Sequence, residues 1–255
     1  MVSCSFLFVP EIFVDSIGIL EAFGNYIHSF TYCLYNGNTW RKAEGGSKVR
    51  ELIANIIKLE WGMFDKVNNK GGRADCQNNK QTFIAMRASQ FEAWNQEVLQ
   101  SYLNDLLEAE ASGRNLLTEK YAYMMEFTSP GEFSAIKDVL PEISEEKENL
   151  IEEISRIKME WTEDMHARYP LAASQGRPLY SSEDGPNVVS IETYMVGELK
   201  TYSTNTLALL LNMIKGIKKE GKNLPVMILN NTACKYGYKS VDELEEKLRE
   251  RVINK

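Results

Sequence analysis

The amino-acid sequence predicts an all-α protein, a multi-helix bundle of about seven helices with one long irregular loop. Three observations predict this class. Apolar residues recur at spacings of three and four through most of the chain after residue 47, and segments that alternate like strands are few. The composition is that of an ordinary globular protein, with 44% hydrophobic and 25% charged residues among 255. A chain of this length can build its own core.

Residues 1–47 form an aromatic-rich N-terminal extension that differs from the rest of the chain. The segment holds nine aromatic residues, and its first basic residue is Arg41. We expect a helix packed on the body or a poorly ordered extension. The alternative is a docking arm for a protein partner, because exposed aromatic side chains often mark interaction sites.

Residues 48–255 are predicted to form a single helical domain. Helix ends are visible at Ser190 and Ser240, which can cap the helices that follow them, and at Gly221, which ends the helix before it. The helices predicted from the apolar periodicity span residues 48–68, 80–110, 115–128, 132–140, 144–167, 191–219 and 241–253.

Two other segments interrupt the helical pattern. Residues 226–229 are the best candidate for a strand. Residues 169–190, which contain three prolines and two glycines, are predicted to form one long irregular loop. Long loops in compact domains often serve as lids or binding loops, so this segment is a candidate for function.

Composition excludes several classes of function. The 36 acidic residues outnumber the 29 basic ones, so we expect no nucleic-acid partner. No apolar stretch is long enough to span a bilayer, so we expect no membrane partner. No cofactor motif is visible, the cysteine spacings suit neither zinc nor an iron-sulfur cluster, and two histidines are too few for a histidine-rich metal site. Four cysteines without paired spacing favour a reducing compartment, and we expect the protein to be cytoplasmic.

Charged residues occur on helix faces that should be buried. Glu60 falls near the centre of an apolar stripe, while Arg87 and Glu198 lie at the edges of others. A buried carboxylate needs a cation, a proton or a metal as its partner. We therefore predict that Glu60, Arg87, Glu119 and Glu198 converge on a polar cavity within the bundle. For Lys120, also on an apolar face, we expect the ammonium to reach water.

The predicted cavity offers candidates for catalysis and for binding. Glu60 or Glu198 would act as general acid or base, and Arg87 or Arg114 would hold an anionic group. Cys76, close to a helix start, is a candidate nucleophile. The other candidates for substrate binding are Gln90, Trp94, Glu119, Tyr194 and Tyr202.

Several short segments of the chain carry a family resemblance. They are EWGMF at 60–64, GRADCQ at 72–77, MRASQF at 86–91, GRNLL at 113–117 and GEL at 197–199. Together they resemble a bacterial family catalogued as a domain of unknown function, DUF4125, over roughly residues 48–245. The resemblance implies that these polar motifs belong to one domain, and it assigns no activity to them.

The sequence leaves two classes of function open. The first is a small-molecule-binding protein, and within it an enzyme of the transferase or hydrolase type that acts on a polar or anionic metabolite. The second is a non-catalytic accessory module for a partner enzyme, in which the buried charges form structural ion pairs. A cleft that contains the charged residues favours the first, and a dry core with an exposed apolar patch favours the second.

Overall fold

The computed structural model describes residues 32–35, 40–43, 47–68, 72–174, 176–185 and 188–253, and it confirms the all-α class. Within these ranges the strands are β1 (Tyr32–Tyr35) and β2 (Trp40–Ala43), which pair as an antiparallel hairpin. The rest of the predicted N-terminal extension, and with it the predicted docking arm, lies outside the described residues.

The described residues contain eleven α-helices. In chain order they are α1 (Ser47–Phe64), α2 (Lys80–Phe91), α3 (Gln96–Ala111), α4 (Leu116–Thr128), α5 (Pro130–Ile136), α6 (Glu145–Arg168), α7 (Pro170–Ala173), α8 (Ile191–Leu199), α9 (Thr204–Lys219), α10 (Leu224–Lys235) and α11 (Val241–Ile253). Short 3₁₀ turns cover Asp75–Asn78, Lys137–Val139 and Ser181–Glu183.

Two predicted helices are each divided by a capped turn, which partly explains why the prediction of about seven helices was too low. The helix predicted over 80–110 breaks after α2 because the Asn95 side chain accepts a hydrogen bond from Val98 N, at 3.0 Å, and starts α3. The helix predicted over 191–219 breaks after α8 because Ser203 Oγ accepts from Thr206 N, at 3.1 Å, and starts α9. Polar side chains that bond to nearby backbone favour such helix starts over helix interiors.

Two further predictions are corrected in the remaining segments. Residues 226–229 are not a strand: they lie in α10, whose start is capped by Asn223 and has Pro225 in its first turn. Residues 169–190 are not wholly irregular, because Pro170 starts α7 and a 3₁₀ turn follows. The predicted helix ends at Ser190, which accepts from Thr193 N, and at Gly221, with φ +66°, are confirmed.

The helices pack around one main core. Helix α1 contacts α2, α3 and α4, helix α9 contacts α3 and α6, and α8 is held between α4 and α6. The largest fully buried side chains of this core include Phe64, Phe83, Phe91, Leu99 and Leu207. A smaller cluster joins α11 to α7 and α10. In the portion described, no helix combines the length and the apolar character that a bilayer crossing requires.

Candidate functional site

A buried ion pair lies among the helices of the main core. Glu60, in α1, has no exposed surface, and both of its carboxylate oxygens are bonded. Arg87 Nε donates to Glu60 Oε2 at 2.7 Å, and Arg87 Nη2 donates to Glu60 Oε1 at 2.6 Å. The Tyr102 hydroxyl donates to Glu60 Oε1 at 2.6 Å. This two-point contact is the strongest geometry available to an arginine and a carboxylate.

Glu198, in α8, extends this pair into a longer network. Its carboxylate accepts from Lys120 Nζ at 2.5 Å, from the Tyr202 hydroxyl at 2.7 Å and from Gln90 Nε2 at 3.0 Å. Arg87 Nη1 and Nη2 approach Glu198 Oε1 at 3.4 Å. The four residues Glu60, Arg87, Glu198 and Lys120 thus form a buried sequence of alternating charges, here termed the charge chain.

The charge chain is assembled by the close approach of helices α8 and α4. Gly197 makes this approach possible, because an added Cβ at this position would lie 2.6 Å from Met124 Cγ and 3.1 Å from Lys120 O. Any larger side chain would push α8 away from α4. The neighbouring residue, Glu198, is thereby placed against Lys120.

The electrostatic setting keeps the Glu198 carboxylate ionised. Burial alone would raise its pKa, but the charges of Arg87 and Lys120 outweigh burial and hold the pKa of Glu198 well below its usual range. Burial, followed by the charge of Glu198, raises the pKa of Tyr202 well above its usual value. Tyr202 therefore remains a hydrogen-bond donor to Glu198 at neutral pH.

A cavity of about 120 Å³ lies next to the Glu198 end of the charge chain. Its wall is formed by α6, α8, α9 with the turn before it, the start of α10, the end of α2 with the turn after it, and the non-helical segment that holds Arg177. Most of the wall is apolar, and the lining residues are Gln90, Trp94, Lys158, Thr162, Met165, Arg177, Ile191, Tyr194, Met195, Glu198, Leu199, Tyr202, Leu210, Leu224, Pro225 and Ile228. An apolar cavity of about 150 Å³ accepts a molecule the size of benzene, so this one fits a small ligand.

Two cations line the cavity in addition to the charge chain. Lys158, in α6, is half-buried, and its Nζ has no hydrogen-bond or ion-pair partner within residues 47–68, 72–174, 176–185 and 188–253. Burial lowers the pKa of Lys158. Arg177, which is 6% exposed, donates from Nη1 to Val189 O at 3.0 Å.

The Tyr194 ring, which lines the cavity, contacts two cations, Lys120 of the charge chain and Arg177 of the cavity wall. Lys120 Nζ lies 3.5 Å from the ring centroid, and Arg177 Cζ lies 4.7 Å from it. Such contacts attract a cation to the face of an aromatic ring. Tyr194 therefore holds two cations close to the cavity without adding a negative charge.

Most of the predicted site residues come together in this region. Glu60, Arg87 and Glu198 meet in the charge chain, as described above. Four predicted binding residues line the cavity or touch the chain: Gln90, Trp94, Tyr194 and Tyr202. The structure thus joins the ion pairs and the cavity in one continuous site.

Three predicted site residues lie elsewhere. Glu119 does not join the charge chain; it binds Arg114 in two-point contacts of 2.7 and 2.8 Å. Arg114 is 44% exposed in its side chain and lies outside the cavity wall. Cys76 is half-buried in the 3₁₀ turn before α2 and is not among the residues that line the cavity.

Sequence reasoning missed or misjudged the other members of the site. Lys120 does not reach water, since it is 3% exposed and bound to Glu198. Lys158 follows Ile154 by four residues and precedes Trp161 by three, so it lies beside the apolar stripe of its helix. The same periodicity that predicted burial of Glu60 therefore also indicates Lys158. Arg177 lies in a non-helical segment, where periodicity gives no signal.

Among the described side chains, no cluster of three His, Cys, Asp or Glu residues could hold a metal ion.

The family model described as "Protein of unknown function (DUF4125)" matches residues 50–246. The chain belongs to the DUF4125 family. The match spans every residue of the charge chain and of the cavity wall. No curated protein and no solved structure matches the chain.

Proposed function

We propose that this DUF4125 protein binds a small anionic molecule in the cavity beside Glu198. One observation carries the proposal: Lys158 lines a cavity inside the bundle, and its ammonium has no acceptor in the described part of the chain. A half-buried ammonium without a partner at an apolar cavity costs free energy, which a bound anion would offset. Glu198 forms no ion pair with Lys158 among the described contacts; its carboxylate is bonded to Lys120 and approached by Arg87.

The charge chain supports the site and is a poor candidate for acid-base catalysis. A general base needs a pKa close to the working pH. Burial would raise the pKa of Glu198, but the positive charges of Arg87 and Lys120 outweigh burial and hold this pKa well below its usual range. Glu60 has both oxygens engaged and no exposed surface. We therefore infer that these carboxylates position Arg87 and Lys120, and that the ligand contacts the cations of the cavity wall.

The proposal is tested by comparing charged and neutral ligands of the same size. Acetate, propionate and phosphate are added to the full chain, with acetamide and propionamide as neutral controls, and thermal unfolding is followed. A ligand at about 100 times its Kd adds about 2.7 kcal/mol of stability, which raises the Tm by roughly 5–10 °C at this chain length.

Two lysine variants locate the effect. In Lys158→Met the rise in Tm caused by the anion is expected to disappear. In Lys218→Met, which removes an exposed lysine paired with Glu160, it should remain. Equal shifts with acetate and acetamide, or an unchanged response in Lys158→Met, would contradict anion binding at this cavity.

A further inference from the structure

Lys158 differs from every other buried or half-buried lysine in the described ranges. Lys120 Nζ binds Glu198, Lys147 Nζ donates to Lys200 O at 2.7 Å, and Lys235 Nζ lies 2.7 Å from Glu92 Oε1. The two remaining ones bind surface carboxylates: Lys200 binds Glu126 and Lys222 binds Glu220. Among these six lysines, only the Lys158 amine has no hydrogen-bond or ion-pair partner in the described part of the chain.

The surroundings of this amine are those of a reactive lysine. Apolar side chains, among them Met195 and Leu210, share the cavity wall with Lys158. Burial lowers the pKa of Lys158; Glu198 opposes this shift, and the positive charges of Arg87 and Lys120 add to it. Lysine amines become nucleophilic in this way, through an apolar pocket and a nearby cation.

We propose that Lys158 forms an imine with the carbonyl carbon of a small 2-oxo acid bound in the cavity. The inference rests on the proposed anion site and names its substrate class. A bond forms between Nζ and the carbonyl carbon, the bond between that carbon and its oxygen breaks, and the oxygen leaves as water. An ammonium and a neutral carbonyl give an iminium and one water, so atoms and charge are conserved without a further reactant.

The cavity indicates an oxo acid and not a simple aldehyde. Arg177 lines the same wall as Lys158, and a guanidinium recognises the planar geometry of a carboxylate. A 2-oxo acid carries its carboxylate directly beside its carbonyl, so one molecule can engage both residues. The cavity volume of about 120 Å³ restricts the ligand to the smallest members of this class.

Reductive trapping tests the inference. The full chain is incubated with pyruvate and sodium cyanoborohydride, which converts an imine to a stable secondary amine, and the modified peptide is identified by mass spectrometry. We expect one adduct, located at Lys158, and a labelling yield at least ten times lower when propionate is present as a competitor. Lys158→Met should abolish the adduct, and Lys158→Arg should abolish it while still binding propionate.

Lys147 provides a matched control for chemical reactivity alone. Burial lowers the pKa of Lys147 to about 8, yet its amine faces a backbone carbonyl and does not line the cavity. Lys147→Met should therefore label as the parent does. Labelling at Lys147, labelling spread over surface lysines, or an adduct that persists in Lys158→Met would overturn the inference.

The outcomes separate this inference from the proposed function. Stabilisation by propionate without a pyruvate adduct would refute the imine and leave the anion site in place. The absence of both would refute the two proposals together. A Lys158 adduct that propionate does not suppress would refute the role of a carboxylate and indicate a simple carbonyl ligand.

Discussion

At the scale of single residues, the site contains charges of two kinds. Glu60 and Arg87 form a two-point ion pair inside the core, whereas Lys158 is held at a cavity without a described acceptor. Paired groups contribute to the fold, while a group held without a partner lowers stability. Stability measurements on single variants therefore distinguish structural residues from functional ones.

Replacing Arg87 by methionine should be strongly destabilising. The substitution leaves Glu60 buried and without its cation, which costs about 3–5 kcal/mol and lowers the Tm by roughly 6–20 °C. Urea and thermal unfolding measure the loss. Arg156→Met, which removes an exposed pair with Glu160, serves as the control and should cost no more than about 1 kcal/mol. A loss for Arg87→Met as small as that of the control would exclude a structural ion pair.

Replacing Lys158 by methionine should have the opposite effect. Methionine keeps an unbranched apolar stem and removes the half-buried ammonium, so we expect a gain of about 0.5–2 kcal/mol at neutral pH. The folded-state pKa of Lys158 is lowered, so the parent protein gains stability relative to the variant as pH rises toward the unfolded pKa of about 10.5. Urea unfolding of the parent and the variant at pH 7 and pH 10 measures the gain and its decrease with rising pH. A loss of stability in Lys158→Met at pH 7 would contradict the prediction.

At the scale of helices, periodicity predicted which side chains face inward but did not predict which residues they contact. Glu60 lies on an apolar stripe and is buried, as its spacing indicated. On α4, the apolar spacing around Lys120 does not reveal whether its ammonium reaches water, and the packing of α8 decides that Lys120 faces Glu198. Partner choice depends on contacts distant in sequence, which a single helix pattern does not contain.

Helix breaks were the other feature that the sequence did not reveal. Asn95 and Ser203 each start a helix inside a stretch that otherwise continues the apolar pattern. The stretch 200–206 is rich in poor helix formers, which predicts a low helix propensity at these residues but does not predict that the helix ends there. At the second break, Asp105 Oδ2 also accepts from Ser203 N at 3.0 Å, and this contact joins α3 to the turn before α9.

Gly197 should tolerate no side chain. Gly197→Ala would place a methyl group 2.6 Å from Met124 Cγ, so we expect a loss of about 1–3 kcal/mol as α8 moves away from α4. Gly216, in α9, meets nothing within 4 Å of an added Cβ. Gly216→Ala should therefore be neutral or gain up to about 1 kcal/mol from helix propensity. Chemical denaturation of the two variants provides the comparison, and equal effects would contradict the proposed close contact.

At the scale of the whole molecule, the site forms where interrupted helices meet. The turn after α2 carries Trp94 and the turn after α8 carries Tyr202, and their rings lie 6.0 Å apart at the cavity. Ser101 Oγ and Thr206 Oγ1 bond at 2.7 Å beyond these turns and join α3 to α9. Each of the two interruptions therefore contributes one aromatic ring to the cavity wall.

The acid sensitivity of the fold should include a contribution from His166. Burial lowers the pKa of His166, and its Nε2 is buried without a hydrogen-bond partner among the described residues. The folded state therefore disfavours the protonated ring, and the free energy of unfolding should decrease as pH falls through the unfolded pKa of about 6.5. Urea unfolding between pH 8 and pH 5 should show a smaller decrease for His166→Gln. An identical pH dependence would exclude this contribution.

The charge chain also restricts how this sequence can change over time. Loss of one member leaves the buried charge of its neighbour without a partner. Exchanging Glu60 and Arg87 together for apolar residues of similar volume avoids this cost, because neither charge remains. The effects of the two changes should therefore not add, and the double variant should be more stable than either single one. Intermediate sequences that carry only one change would be selected against. Substitutions at Glu60 and Arg87 are thus expected to arise as a pair.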